Sequence, residues 1–314
     1  MELTVRDVPE MFSEMMIMMR MRGQLEDSRN GPVLTLPEPL TVTVRQPKIR
    51  ANVDPLRHAN PFFHLMEFVW MMAGSRDPTW ISQYNKRFIE YADDHNDTGF
   101  PMIHGAYGYR WRKYFHRDQI VWGVDMLKED PTTRRVVLGM WDTNGDLGTD
   151  HNDLPCNTHI YLRIINGELD FTVCNRSNDV IWGMTGANAV HMTMLQELMA
   201  NAIGCDVGVY RVFTNNAHVY TDLPGVDELL QTTGAHYVNY VDWDHVKPLQ
   251  PNESIGIFMQ ECQAFMEGDF VASEWLTKVA GPVQQLWGHR DIQRNTIQDS
   301  EWHQACNLWL QWKQ

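Results

Sequence analysis

The sequence predicts an α+β fold in a single domain, and three observations carry that reading. Asn166-Gly167 separates two alternating, β-branched runs, His159–Ile165 and Leu169–Cys174, which is the strongest short-range hairpin signal. Two long apolar stretches, 61–73 and 190–202, have helical length and end at Gly74 and Gly204. No internal repeat, low-complexity tract or Gly/Ser linker divides the 314 residues, so strands and helices belong to one body, 1–314.

In chain order, the Met-rich patch Met11–Met21 carries Glu14 and Arg20 at helical spacing, which predicts a packed amphipathic helix. Alternation and β-branching over Val33–Leu36 and Leu40–Val44 predict strand. From Pro61 to Ala73 apolar residues occur on nearly all sides, as in a buried helix. The turn Asp130-Pro131-Thr132 leads into a predicted strand over Arg135–Trp141. After the hairpin, Val190, Met194, Leu195, Leu198, Met199 and Ala202 fall on one helical face. Val207–Phe213 returns to strand. Antiparallel strands interleaved with long buried helices define the α+β class.

The bulk composition narrows the function. With 26 basic and 40 acidic residues the net charge is −14, and such a surface repels a nucleic-acid backbone. A phosphate ligand therefore has to be met by local arginines, which suits a small nucleotide and not a polymer. No run of eighteen apolar residues offers a membrane span, and the charged start Met1–Asp7 is unlike a secretory signal. Five scattered cysteines, an odd number, fit free thiols in a reducing cytoplasm. His64, His95, His151, His159 and His191 show no paired ligand spacing and there is no Cys-x-x-Cys, so no metal is expected.

The chemistry concentrates in Leu154-Pro155-Cys156-Asn157 and, twenty residues on, Arg176-Ser177-Asn178-Asp179. Thiolate is the nucleophilic form of cysteine, and a nearby cation favours it. An arginine able to hold both a thiolate and a substrate phosphate meets that need. Cys174, Cys205, Cys262 and Cys306 read as packing residues. Glu67 lies on the buried Pro61–Ala73 helix, where an unpaired carboxylate is costly, which marks it as functional.

Seven local patterns stand in one order: Glu67-Phe68-Val69-Trp70, His104–Arg112, Arg134-Arg135, Pro155-Cys156, Arg176–Asp179, Gly186-Ala187-Asn188 and Ala217-His218-Val219-Tyr220. This series resembles the thymidylate synthase family, which includes the pyrimidine nucleotide hydroxymethylases. The resemblance runs from about Ser28 to Tyr220 and implies a large mixed sheet packed with long buried helices. It also implies 5,10-methylenetetrahydrofolate as co-substrate, a nucleoside monophosphate as substrate and a homodimer with shared sites. By the resemblance Cys156 is the nucleophile, and Arg176 and Ser177 meet the 5′-phosphate together with Arg29. Arg134 and Arg135 look like a pair given by the partner subunit. Glu67 looks like the carboxylate that moves protons through water. Tyr107 resembles the hydroxyl that assists proton loss from C5. Asp179 resembles the aspartate that orders the cofactor and cysteine region, Asn188 the base reader, and His218 and Tyr220 the pair that bonds the sugar 3′-hydroxyl.

Four departures bear on the reaction. Asn157 stands where synthases usually have His, and Gly183–Asn188 is one residue longer than the synthase loop and lacks its Pro-Phe. Phe88 aligns with a tryptophan that synthases set against the transferred methylene. The tail Leu308–Gln314 differs from the small apolar tail of synthases. A synthase quenches the exocyclic methylene with hydride and excludes water, whereas a hydroxymethylase admits water. The departures favour the second branch, as in a bacteriophage that modifies its DNA within the host cytoplasm. Asn188 favours uracil, because an amide matches N3–H and O4. A flipped amide reading cytosine in dCMP or CMP, a thymidylate synthase making dTMP, and a non-catalytic binding relic remain the alternatives.

Overall fold

Six strands form the central sheet of this computed structural model, which describes residues 1–232 and 245–313. In chain order the strands are β1 (Glu2–Val5), β2 (Gln24–Ser28), β3 (Gly31–Thr35), β4 (Leu40–Val44), β5 (Asp94–His95), β6 (Pro101–Met102), β7 (Val137–Gly139), β8 (Asn157–Ile165), β9 (Glu168–Asn175), β10 (Asn178–Asp179), β11 (Asp206–Thr214) and β12 (Ala217–Tyr220). The main sheet runs β1-β4-β11-β9-β8-β7, and a four-stranded sheet runs β10-β12-β3-β2. Most main-sheet pairings are antiparallel, but β1 with β4 and β9 with β11 are parallel. Alternation along a strand cannot reveal its partner's direction. The β9–β11 connection contains a full helix, the kind of crossover that parallel neighbours require.

The helices form where the caps and apolar spacing require. Asp7 caps Val8–Arg22 by accepting from the Glu10 N–H, and Asn60 caps Pro61–Met72 by accepting from the Phe63 N–H. Pro61 occupies the first turn, where its missing N–H costs nothing. Asn188–Ile203 ends at Gly204 with φ +90°, a left-handed cap that glycine adopts freely. In the β8–β9 hairpin Asn166 and Gly167 have φ of +52° and +83°, the pair of positive values that a type I′ turn needs.

One face of the main sheet is covered. Ile160, Leu162, Phe171, Val173, Tyr210 and Val212 are buried in the same core as Leu65, Met66, Val69, Leu195 and Met199 of the two long helices. At roughly 1.5–3 kcal/mol per large apolar side chain, this burial fixes the helices on the sheet. The C-terminal helices join that core through rings: Phe62 lies 5.3 Å from Trp287 and 5.5 Å from Trp309. Among the described residues no helix is long and apolar enough to cross a membrane.

Two local differences matter for the site. The expected strand over Arg135–Trp141 is a strand only at Val137–Gly139. The N–H groups of Met140 and Trp141 both donate to the Thr158 carbonyl, at 2.9 and 3.1 Å, opposite a register shift between Asn157 and His159. Arg134 and Arg135 therefore precede the strand as exposed residues instead of lying on it. The second difference is a buried polar clamp. Arg110 binds Asp146 through two 2.7 Å contacts and donates to the Met140 carbonyl at 2.7 Å, while His104 reaches Asp146 at 2.8 Å. This clamp ties the 104–111 segment to the end of β7.

Arg110→Met should cost about 3–5 kcal/mol in urea unfolding, because it strands a buried carboxylate. The double variant Arg110→Met, Asp146→Leu should recover most of that loss. Equal destabilisation by the single and double variants would show that the pair adds packing and no coupled charge.

Candidate active site

The β8–β9 hairpin explains why residues twenty apart in sequence meet. Its register pairs Asn157 with Asn175, so the start of β8 and the end of β9 carry Cys156 and Arg176 side by side. The Arg176 N–H donates to the Cys156 carbonyl at 3.0 Å, and its guanidinium donates to the carbonyls of Pro155 and Leu154 at 2.9 and 3.0 Å. Nη2 then stands 3.9 Å from the Cys156 Sγ. Burial pushes the thiol up from its ordinary value, Arg176 draws it down, and Asp153 and Asp179 add to the rise. The net direction is upward, so the arginine offsets burial only in part. Ser177 follows in the same connection, partly exposed.

Tyr107 approaches from the other side, and its hydroxyl accepts from the Asn157 N–H at 3.3 Å. Burial raises this phenol above its usual range, with the Cys156 charge contributing. Asn157 itself is 1% exposed, and its side-chain amide has no described neighbour in good hydrogen-bonding geometry, the Tyr107 hydroxyl being the one group that interacts with it. Buried amides are seldom left so.

Glu67 is on the Pro61–Met72 helix with a mostly buried carboxyl group. Burial raises its pKa to about 8, and Asp153 adds to the rise. Its Oε2 lies 3.4 Å from His191 Nε2, yet this is no ion pair. Burial lowers His191 to about 3, and the same nitrogen is 3.1 Å from the His64 carbonyl, to which a neutral ring donates. Phe63, Glu67 and Trp70 share one helix face by spacing. Phe88 packs on that face, its ring 5.7 Å from Phe63 and 5.5 Å from Trp70.

The four-stranded sheet supplies the remaining wall. β10 places Asp179 in register with His218 on β12, and β12 pairs with β3. His218 bonds Asn216 Oδ1 through Nδ1 at 2.9 Å, and its ring meets Tyr220 edge-on at 5.2 Å. Asn30 reaches the Tyr220 hydroxyl at 3.5 Å, which carries the β2–β3 turn and its exposed Arg29 to this end of the sheet. Asn188 opens its helix and donates to Asn178 Oδ1 at 3.4 Å. Gly183 makes room for this pair, because a Cβ there would stand 2.8 Å from Asn178 Oδ1 and 3.0 Å from Asn188 Nδ2. Asp179 caps the following segment by accepting from the Trp182 N–H at 2.6 Å, and burial raises its carboxyl to about 6.

Arg134 and Arg135 stand apart. β7 runs antiparallel to β8 with Val137 opposite Tyr161, which sets the arginines beyond the end of β7 remote from Cys156. Along the strand that is roughly 20 Å. Sequence reasoning also missed Asp153, three residues before Cys156. Its Oδ2 accepts from the Gly105 N–H at 3.0 Å, joining the cysteine loop to the segment that leads to Tyr107. Burial raises it to about 6, and it acts on Glu67, Tyr107 and Cys156 alike. Its position beside Pro155-Cys156 was the available signal.

The family model described as thymidylate synthase matches residues 56–242, and the chain belongs to that family. It is 43% identical over 222 residues to the deoxyuridylate hydroxymethyltransferase of Pseudomonas phage M6, covering 70% of this chain and 62% of that protein. It is 30% identical over 249 residues to the protein of the same description from Bacillus phage SP01, covering 74% and 64%. The corresponding protein of Delftia phage PhiW-14 is 31% identical over 208 residues, covering 63% and 56%. The chain thus spans less than two thirds of the length of these relatives.

A buried acid whose pKa is raised destabilises the fold as pH climbs: its effect is absent below the unfolded value and complete above about pH 8. Glu67→Gln should therefore stabilise the protein by on the order of 1–3 kcal/mol at pH 8.5 and by almost nothing at pH 4. Thermal unfolding across that range checks it, and a pH-independent difference would show that Glu67 is not held protonated.

Proposed function

We propose that the protein hydroxymethylates C5 of dUMP, forming 5-hydroxymethyl-dUMP and tetrahydrofolate through a covalent Cys156 adduct. The observation that carries this reading is the buried Asn157 amide beside Cys156 and Tyr107, whose polar atoms the protein satisfies only weakly, through the Tyr107 hydroxyl. A site built to exclude water has little use for an under-bonded amide there, whereas a site that orders water does. The phage relatives described as deoxyuridylate hydroxymethyltransferases support the same reading.

The chemistry follows from the residues. The Cys156 thiolate adds to C6 of the pyrimidine and makes C5 nucleophilic. Arg176 offsets part of the cost of the buried thiolate and, with Ser177 and Arg29, meets the 5′-phosphate. Methylenetetrahydrofolate supplies the one-carbon unit. Tyr107 assists removal of the C5 proton. Glu67, a neutral acid at pH 7, protonates toward O4, and the ionised Asp153 beside it receives protons from water. Loss of the C5 proton with departure of tetrahydrofolate leaves an exocyclic methylene; water adds to it and gives up a proton, and Cys156 is expelled from C6. The buried Oδ2 of Asp179 and the Phe88 ring packed against the Glu67 helix fit the folate side. His218 and Tyr220 hold the 3′-hydroxyl.

Base choice rests on Asn188. With an amide hydrogen engaged by Asn178 Oδ1, the carbonyl remains free to accept. Uracil N3–H donates to it while the second amide N–H meets O4. Cytosine can offer its 4-amino group to the same carbonyl, and the phage relatives described as deoxyuridylate hydroxymethyltransferases favour uracil.

We also infer a twofold dimer with shared sites. Val137, Tyr161 and Phe213 project from the uncovered face of the main sheet and are 46%, 49% and 37% exposed. The pairings Val137–Tyr161, Tyr161–Thr172 and Cys174–Phe213 put these residues on one surface. A self-complementary contact there buries that surface, and Arg134 and Arg135 beside it reach a phosphate in the partner. The soluble substrates and free thiols suit the cytoplasm of an infected host.

Incubation with dUMP and methylenetetrahydrofolate should yield 5-hydroxymethyl-dUMP with no rise in dihydrofolate absorbance, and Cys156→Ala should abolish turnover while retaining nucleotide binding. Formation of dTMP with dihydrofolate would make it a synthase, and a tenfold preference for dCMP, ~1.4 kcal/mol, would overturn the base assignment.

Mixing Cys156→Ala subunits with Arg135→Ala subunits should restore activity from two nearly inactive parents. No rescue despite demonstrated subunit exchange, or a monomer on sizing at assay concentration, would remove the shared site.

A further inference from the structure

Arg57 lies between β4 and the Pro61–Met72 helix and is only 2% exposed. Its Nε and Nη2 donate to the Ile181 carbonyl at 3.1 and 2.6 Å, and its guanidinium stands 5.6 Å from the Trp182 ring. Nη1 has no partner among the described residues. The gripped segment, 180–187, leaves helical geometry at Gly186, where φ is −126° and ψ −121°. Gly186 is what admits the cation, because a Cβ there would stand 2.0 Å from Arg57 Nη2. The glycine-containing loop that departs from the synthase pattern thus has a physical purpose.

Asp179 caps the same segment, and its Oδ2 is buried and unpartnered. Burial lowers Arg57 to about 10, opposed by Asp179 and Asp54, so the group stays charged at neutral pH. Asp179 is faced by Arg57, by the Cys156 thiol, by His218 across β12, and by the N–H groups of Ile181, Trp182 and Gly183. His218 is lowered by burial and is neutral, which leaves Arg57 as the cation among these groups. An apolar side chain of similar volume would fill the slot but would leave the Ile181 carbonyl without its guanidinium bonds and Asp179 without its facing cation. Both the bonds and the charge explain an arginine here.

We propose that Arg57 is a positioning residue for the folate side of the site, locking the 180–187 segment through the Ile181 carbonyl and setting its charge against Asp179 in a slot cleared by Gly186. The proposal rests on the reading of Asp179 as a folate contact. Losing Arg57 removes a positive charge, so Asp179 ionises at higher pH. Folate affinity then weakens first on the acid side.

The test measures equilibrium binding of tetrahydrofolate to the dUMP-loaded full chain between pH 5 and 8, with KM for each substrate alongside. Arg57→Met should weaken folate at least tenfold, change dUMP affinity less than twofold, and move the acid limb near pH 6 upward. Arg57→Lys should restore part of the loss. Gly186→Ala should mimic Arg57→Met, and combining the two should add little, since the clash has gone. Equal losses for both substrates, an unmoved acid limb, or additive effects would overturn the proposal. If Arg57→Met fails to fold, Arg57→Lys and Gly186→Ala carry the same two readouts. Failure of the native protein to form 5-hydroxymethyl-dUMP would defeat the proposed function and leave this binding measurement standing.

Discussion

The register of the β8–β9 hairpin is the constraint on which the rest of the site depends. Asn166 and Gly167 take the positive φ values that a two-residue turn requires. The turn counts the pairs back to His159 opposite Cys174, and a one-residue irregularity at Thr158 then sets Asn157 opposite Asn175. A slip of one residue would move the core face of both strands to the outside. It would also part Cys156 from Arg176, whose contact lies one step beyond the last pair. The core residues Ile160, Leu162, Phe171 and Val173 hold the same register, so packing and chemistry enforce one another.

Around that contact the protein keeps charges in places that burial disfavours. Glu67, Asp153 and Asp179 are raised to about 8, 6 and 6, chiefly by burial. Near neutral pH the first is an acid and the other two are mostly ionised, so nearby carboxyls hold different protonation states. Arg57 and Arg176 provide the compensating charge on two sides, and both do so while anchored to backbone carbonyls. Such a site sacrifices stability for proton inventory, which is common where general acid and base chemistry share a small volume.

The fold also separates what the sequence joined. Arg134 and Arg135 lie in line with the other motifs along the chain, yet β7 points them away from Cys156. They stand instead beside the uncovered face of the main sheet that carries Val137, Tyr161 and Phe213.

Local signals in the sequence determined much of this protein. The Asn-Gly turn, the Gly74 and Gly204 stops and the apolar runs specified the hairpin and both long helices, because these depend on residues close in the chain. The thymidylate synthase resemblance named Cys156, Arg176 and Glu67, and the structure brings those neighbourhoods together. The parallel β9–β11 pairing, the shortened β7, the roles open to Asp153 and the slot that joins Arg57 to Gly186 were decided only in three dimensions. Each is a contact between residues distant in sequence, where no periodicity or spacing records the partner. Burial, which raises an aspartate or leaves an amide such as Asn157 under-bonded, is likewise a property of the assembled core and not of any local stretch.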